Sequence, residues 1–410
     1  MVVGAGAIGV ASAHYLAESG FEVTLVDRGE VGHGCSYANA GLIVPGHSQA
    51  LPGPGVIAEG LRHLMRRDSP FTIRPRLDTS LARWLLAFRR ACGRDTYRHT
   101  TESLTGLSLA SLALFDELAR RDEVHFGYRS GPLLNAYMAE GWRVRADVFG
   151  HELEELGIAS GVLDEAEVHD LEPALGPSVR GALLIEGQAT GDCYAYVRSL
   201  AEGLTRGGAT TVVGKPVERV LMRGRKAAGV IIGDGEELQA DLVVLAAGAW
   251  TSALTAPLGL SLPIQPATGY SCTLPTWPGA PRLPVIFDEN HVVLLPLADR
   301  LRFAGTLELA GFRTAPDPVR YQAVVRAGRE GLRGVPPAEG EAWFGFRPLL
   351  PDDLPAIGWV PGVEGVMVAT GHGTLGFTQS PITGKLVADL ASGASPSIDP
   401  SPFRPDRFRR

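Results

Sequence analysis

At 410 residues the chain is long enough for one large domain or two to three ordinary ones, and its 45% hydrophobic and 20% charged content is that of a globular protein. The 38 basic against 45 acidic side chains leave a net charge of −7, which speaks against nucleic acid as a partner. The cysteines Cys35, Cys92, Cys193 and Cys272 form no Cys-x-x-Cys pair, which excludes a local zinc or redox motif and suits a reducing compartment.

The chain opens Met1-Val2-Val3-Gly4-Ala5-Gly6-Ala7-Ile8-Gly9, and Phe21-Glu22-Val23-Thr24-Leu25-Val26-Asp27 follows. Gly4, Gly6 and Gly9 make a Gly-x-Gly-x-x-Gly turn between a strand and a helix, and Asp27 ends the next strand. That pattern lets a backbone approach a pyrophosphate at a helix N-terminus while the acid accepts from a ribose hydroxyl. Only Met1 to Val3 precede the turn, so the pattern predicts either a start placed too late or a weak sheet edge that lowers cofactor affinity. No charged leader precedes an apolar stretch, so no signal peptide is expected.

A helix is expected over 11–19, closed by Gly20. Residues 32–54 are rich in Gly, Ser, Asn and Pro and read as a long, irregular and therefore functional loop. Residues 56–121 are mainly helical, with one long helix over 97–120. A strand is expected within 124–138, helices over 142–156 and 164–171, and a strand over 183–187. Asp192 caps a helix to about Arg206. Residues 217–232 read as a hairpin broken at 223–225, with a further turn at 233–235, and 241–250 as a buried strand running into glycine. Short strands follow at 271–274, 285–288, 292–296 and 302–306, then a helix over 319–332. A buried strand at 365–371 leads through glycines to a helix over 382–391. The longest uncharged run, 242–281, is interrupted throughout by Gly, Pro, Ser and Thr and does not read as a membrane span. Basic clusters at 62–76 and 404–410 read as a solvated helix face and a polar tail, with contact to an acidic membrane surface as the alternative.

The order predicts an α/β fold. A Rossmann-type cofactor domain is assembled from residues 1–62, 187–262 and 341–410, and an α+β substrate domain on a mixed sheet comes from 63–186 and 263–340. Glycine-rich segments at Gly4 to Gly9, Ala246 to Gly248 and Gly371 to Gly376 suit a large cofactor laid across the molecule, such as FAD, better than NAD. A second Gly-x-Gly-x-x-Gly for a pyridine nucleotide is absent, so electrons are expected from an organic substrate. No metal is expected.

Together with Ser36-Tyr37-Ala38-Asn39-Ala40-Gly41-Leu42, Ala246-Ala247-Gly248-Ala249-Trp250, Gly345-Phe346-Arg347-Pro348, Pro351-Asp352-Asp353-Leu354-Pro355-Ala356-Ile357-Gly358 and Gly371-His372-Gly373-Thr374-Leu375-Gly376, the opening resembles the D-amino-acid oxidase and glycine oxidase flavoenzymes. Pro45-Gly46, Thr190-Gly191-Asp192-Cys193, Gly269-Tyr270-Ser271 and 402–408 bring it closest to bacterial D-amino acid dehydrogenases.

The resemblance implies non-covalent FAD, with Gly4, Gly6 and Gly9 on the pyrophosphate, Asp27 on the ribose and Arg28 beside the adenine. Ser36, Asn39, Ala40 and Gly41 would border the isoalloxazine, and Val217 would meet the adenine through its backbone. Ala247, Gly248 and Trp250, and Gly371, Gly373, Thr374, Leu375 and Gly376, complete the cofactor set. Arg347 would fork the substrate carboxylate, against the alternative of a domain-joining ion pair. Tyr270 would add a hydroxyl, or else be a sheet tyrosine. His372 and His47 are further candidates, His47 standing where relatives commonly carry Tyr.

The implied reaction is oxidation of a D-amino acid to a 2-oxo acid and ammonia, with electrons passed to a quinone, oxygen or another acceptor. The implied location is the cytoplasm, with a possible peripheral membrane contact. Alternatives are a dehydrogenase of D-proline or 4-hydroxy-D-proline, a glycine-oxidase-like amine oxidase, an NAD enzyme, and a flavin-bearing subunit with no substrate of its own.

Overall fold

The computed structural model describes residues 1–63, 69–74 and 76–408; the basic cluster at 62–76 falls largely outside these, as do the last two residues of the tail. Two large sheets organise the chain. The first has six strands in the order Ala356–Trp359, Val366–Thr370, Val243–Leu245, Val2–Val3, Thr24–Val26, Thr210–Val212. All neighbours are parallel except Ala356–Trp359, which runs antiparallel to Val366–Thr370.

The opening strand is short, but it is no edge. Val2 pairs with both Val244 and Leu25, and the residue is fully buried. The sheet's middle is held by apolar contact on both faces, which a two-residue strand between two neighbours can share. Helices Ala7–Glu18 and Ser380–Ser392 pack against each other on one face, joined by Cys193–Arg206. Asp192 accepts from the Tyr194 and Ala195 amides at 3.0 and 3.2 Å, the cap its sequence position predicts.

The second sheet has ten strands. Its main path is Glu341–Leu349, Gln265–Pro275, Arg300–Leu309, Val292–Pro296, Val285–Phe287, Arg129–Tyr137, Gly181–Thr190 and Leu42–Ile43. Phe71–Ile73 joins it beside Arg300–Leu309, and Ser160–Leu163 beside Gly181–Thr190. Several elements depart from the sequence expectation here. Phe71–Ile73 lies in a stretch read as helical. The irregular loop contains the strand Leu42–Ile43 and a short turn of helix, Pro45–His47. Glu341–Leu349, placed with the cofactor segments by sequence, hydrogen-bonds along the large sheet, and Gly181–Thr190 crosses the expected boundary at 186/187. Helix Pro318–Glu330 covers one face of this sheet, helix Thr79–Ala91 packs Leu81 and Trp84 against Ala267, Leu309 and Leu349 of it, and helix Arg94–Ala119 packs on Ser380–Ser392 beside the first sheet. The long helix begins three residues earlier than its pattern predicts.

Candidate active site and cofactor crevice

Parallel strands place their carboxyl ends on one edge of a sheet, where the following loops meet. Val2–Val3, Val243–Leu245 and Val366–Thr370 are neighbours, so the glycine segments after residues 3, 245 and 370 converge although they are more than a hundred residues apart in sequence. They open a cavity of about 1360 Å³ that runs from Asp27 to Arg347. Ordinary small-molecule pockets measure roughly 300–1,000 Å³, so there is room for a dinucleotide and more. Every cofactor residue expected from sequence lines it except Gly9 and Gly371, which lie just beneath.

The residues present fit a dinucleotide. A Cβ on Gly9 would stand 1.7 Å from the Gly4 carbonyl oxygen, so helix and strand approach as closely as the motif demands. Asp27 accepts from the Ala5 amide at 2.7 Å and the Gly29 amide at 2.8 Å, which holds its carboxylate at the strand end with lone pairs still open to ribose hydroxyls. Ser36 accepts from the Ala7 amide at 3.0 Å, at the start of the first helix. The Arg28 guanidinium lies 3.8 Å above the Trp250 ring, and Val217 lines the same end.

The loop over 36–41 is built against the large sheet. Asn39 Oδ1 accepts from the Gly41 amide at 2.7 Å. Gly41 has φ +63°, and a Cβ there would lie 2.3 Å from Leu295 Cδ2, so the glycine is required by both conformation and space. Ser271 donates to the Ala38 carbonyl at 2.9 Å, and Arg302 donates to the Asn39 carbonyl at 2.9 Å and to Thr273 Oγ1 at 3.0 Å. Ser271 and Arg302 were not singled out from sequence. Arg302 is 2% exposed, and burial pushes its guanidinium down from its ordinary range.

At the other end Arg347 faces the cavity without a carboxylate partner among the described residues, which removes the domain-joining ion pair. It donates to the Thr306 carbonyl at 2.5 Å, and burial lowers it to about 10. Two features of the sheet set it there. A Cβ on Gly269 would lie 2.6 Å from Arg347 Cζ and both terminal nitrogens, so the guanidinium lies in space that only glycine leaves. Thr306 has φ +68°, at a register shift where Thr268 pairs with Glu308 but Tyr270 with Gly305. Such a bulge re-aims a backbone group, here a carbonyl toward the cavity.

Tyr270 does not take the role expected of its hydroxyl. It borders the cavity and is 1% exposed, but its hydroxyl is taken up by Glu308, to which it donates at 2.7 Å. Successive strand residues alternate faces, so Gly269 and Ser271 look into the cavity while Tyr270 packs under helix Pro318–Glu330. His372 borders the cavity, but its Nε2 is engaged by a helix side chain. Its Nε2 meets Thr383 Oγ1 at 2.9 Å, and burial pushes it down to about 3. His47 lines the cavity beside Phe149 and is lowered by burial to about 4. Burial thus disfavours the charged form of both imidazoles. Near Arg347 the wall is apolar: Phe71, Ile73, Leu85, Phe88 and Leu307 pack in one cluster.

The family model for FAD-dependent oxidoreductases of the DAO type matches residues 1–390. The chain belongs to this family. It is therefore an FAD-dependent oxidoreductase. A D-amino acid dehydrogenase of Methylobacterium nodulans is 37% identical over 97% of this chain and 96% of that one. One from Paramagnetospirillum magneticum is 36% identical over 100% and 98%. Glycine oxidase from Geobacillus kaustophilus has the same fold, with a TM-score of 0.77 at 23% identity over 98% of this chain and 96% of that one.

Proposed function

We propose that this DAO-family enzyme oxidises D-amino acids to 2-oxo acids and ammonia. The observation that carries the reading is Arg347, a guanidinium without a carboxylate partner, held beside an apolar wall in the crevice that fits FAD. Two parallel N–H donors on Arg347 match a carboxylate fork and present one face of Cα to the cofactor. FAD, when bound, supplies the acceptor for the hydride leaving Cα.

The chain's own task is positioning. Arg347 anchors the carboxylate, and the Thr306 carbonyl orients Arg347 and offers an acceptor for the amine. The apolar cluster over Phe71, Leu85 and Leu307 receives the side chain and excludes water. Burial lowers His47 to about 4, so we assign it no part as base, and the amine sheds its proton to solvent before the hydride departs. Water then hydrolyses the imino acid.

For electron transfer onward we favour a quinone. Ile57 and Leu86, 40% and 58% exposed, stand at the cavity's mouth and suit a lipid-dissolved acceptor. Among the described residues no helix is long and apolar enough to cross a membrane, so such contact would be peripheral. The test is anaerobic bleaching of the bound flavin across D-, L- and cyclic amino acids, followed by reoxidation with quinone or oxygen. Bleaching by D-amino acids supports the reading. Bleaching by D-proline alone moves the assignment to cyclic amines, and no bleaching with any amino acid ends it.

A further inference from the structure

Asp353 occupies the turn between Glu341–Leu349, the strand carrying Arg347, and Ala356–Trp359. Its φ is +62°, a conformation that Asp and Asn tolerate better than other side-chain-bearing residues. Its Oδ2 accepts from the Leu51 amide at 2.8 Å, across 302 positions of sequence. A Cβ on Gly373 would stand 2.9 Å from its Oδ1, so the glycine leaves the space this oxygen uses. Leu51 and Gly373 both line the cofactor cavity. The carboxyl thus ties the loop after His47 to the glycine segment at the far end of the crevice.

No cation neutralises it among the described residues. Its neighbour Asp352 takes Arg407 at 2.8 Å, and Arg407 also donates to the Leu354 carbonyl. The glycine segment carries His372, which burial keeps neutral, and the strand before the turn carries Arg347, whose guanidinium donates to the Thr306 carbonyl. The stretch at 48–55 contains no titratable residue.

We propose that Asp353 is a positioning residue that takes up a solvent proton when a cofactor bound in the crevice lined by Leu51 and Gly373 is reduced. The inference rests on the FAD reading of the cavity. Electrons come from the substrate's Cα; Asp353 forms no bond except O–H. Burial, reinforced by Asp352 and opposed by the Leu51 amide, holds the carboxyl up to about 7. Negative charge gained by the cofactor beside Gly373 raises it further, because like charges disfavour ionisation. Above neutral pH, reduction therefore draws in one proton more than the cofactor alone requires.

The experiment is the midpoint potential of bound FAD against pH in the holoenzyme and in Asp353→Asn. Asparagine keeps the shape and tolerates the positive φ. For a two-electron couple each additional proton adds about 30 mV per pH unit. Above pH 7 the unsubstituted enzyme's slope should exceed the variant's by that amount. Equal slopes overturn the proposal, whereas failure of both proteins to bind FAD overturns the cofactor reading instead. If the variant does not fold, infrared difference spectra of the unsubstituted holoenzyme decide. Reduction at pH 8 should produce a protonated-carboxyl band that shifts on ¹³C-Asp labelling, and its absence refutes the assignment.

Discussion

Gly269→Ala separates fold from function at the substrate end. The added methyl carbon would stand 2.6 Å from Arg347 Cζ and its two terminal nitrogens, well inside contact distance. The clash is with the far end of a flexible side chain, so the strand need not move. The guanidinium swings away instead, out of reach of the Thr306 carbonyl and out of line with the carboxylate. Hydrogen bonds to charged groups are worth about 1.5–3 kcal/mol each. Losing one arm of the fork costs roughly that much, and 1.4 kcal/mol is tenfold, so kcat/KM for a D-amino acid should fall on the order of 10- to 100-fold. Most of the loss should appear in KM, since the interaction binds substrate before and during hydride departure. FAD content and Tm should stay near those of the unsubstituted protein, and Arg347→Ala should be at least as impaired. The measurement is anaerobic stopped-flow reduction of the flavin over a substrate series. If Gly269→Ala stayed within twofold of the parent, the guanidinium would not be holding substrate where the sheet puts it.

Gly9→Ala should behave in the opposite way: its methyl meets a backbone carbonyl at 1.7 Å that has nowhere to go, so purified protein should lose FAD absorbance or fail to fold. Tyr270→Phe should leave kcat/KM within a factor of two. It should cost about 1 kcal/mol in urea unfolding, because Glu308 loses one donor but keeps Arg74 at 3.0 Å and Arg313 at 3.4 Å. Acidification between about pH 6.5 and 4 should lower stability. Unfolding releases His47 and His372 from about 4 and 3 to ordinary values near 6.5, so the unfolded chain binds more protons and each group costs up to ~1.4 kcal/mol per pH unit. Asp353 works against them. Held up to about 7 in the fold, it favours the native state as pH falls toward its unfolded value near 3.9, so it offsets about one of the two histidines, and His14, also lowered by burial, adds to the acid loss. Asp353→Asn should therefore steepen the acid loss, which urea titrations at pH 4.5 and 6.5 would detect.

The cofactor crevice was legible in the sequence because its requirements are local. Gly4, Gly6, Gly9 and Asp27 are bound by one strand–helix–strand unit, and a glycine needed for close approach announces itself by being glycine. The substrate end was legible only in part. Arg347 is a charge in an apolar strand, a signal visible without a fold. Tyr270 was left between two roles because its strand is buried on both faces from Gln265 to Leu274, so the alternation that tells one face from the other is missing. Arg302 looked like any strand-end arginine, and only the pairing of Arg300–Leu309 with Gln265–Pro275 brings it under Asn39. The bulge at Thr306 and the space at Gly269 depend on register between strands, which no spacing within one segment encodes.

The division of labour between the two sheets follows from that difference. Cofactor groups sit on loops after parallel strands, where amides at a helix start and small residues suffice, and where the crossover topology brings distant segments together whatever lies between them. The groups proposed to hold substrate sit within the large sheet, on Glu341–Leu349, Gln265–Pro275 and Arg300–Leu309, whose mutual register fixes Arg347, Gly269 and Thr306 as one unit. A change of substrate can then proceed on the wall formed by Phe71, Ile73, Leu85 and Leu307 without disturbing either the carboxylate anchor or the crevice. Leu307→Ala should accordingly shift preference toward bulkier side chains while leaving FAD binding intact. A parallel loss of kcat/KM for all D-amino acids, large and small alike, would show instead that the wall supports Arg347 rather than receiving the side chain.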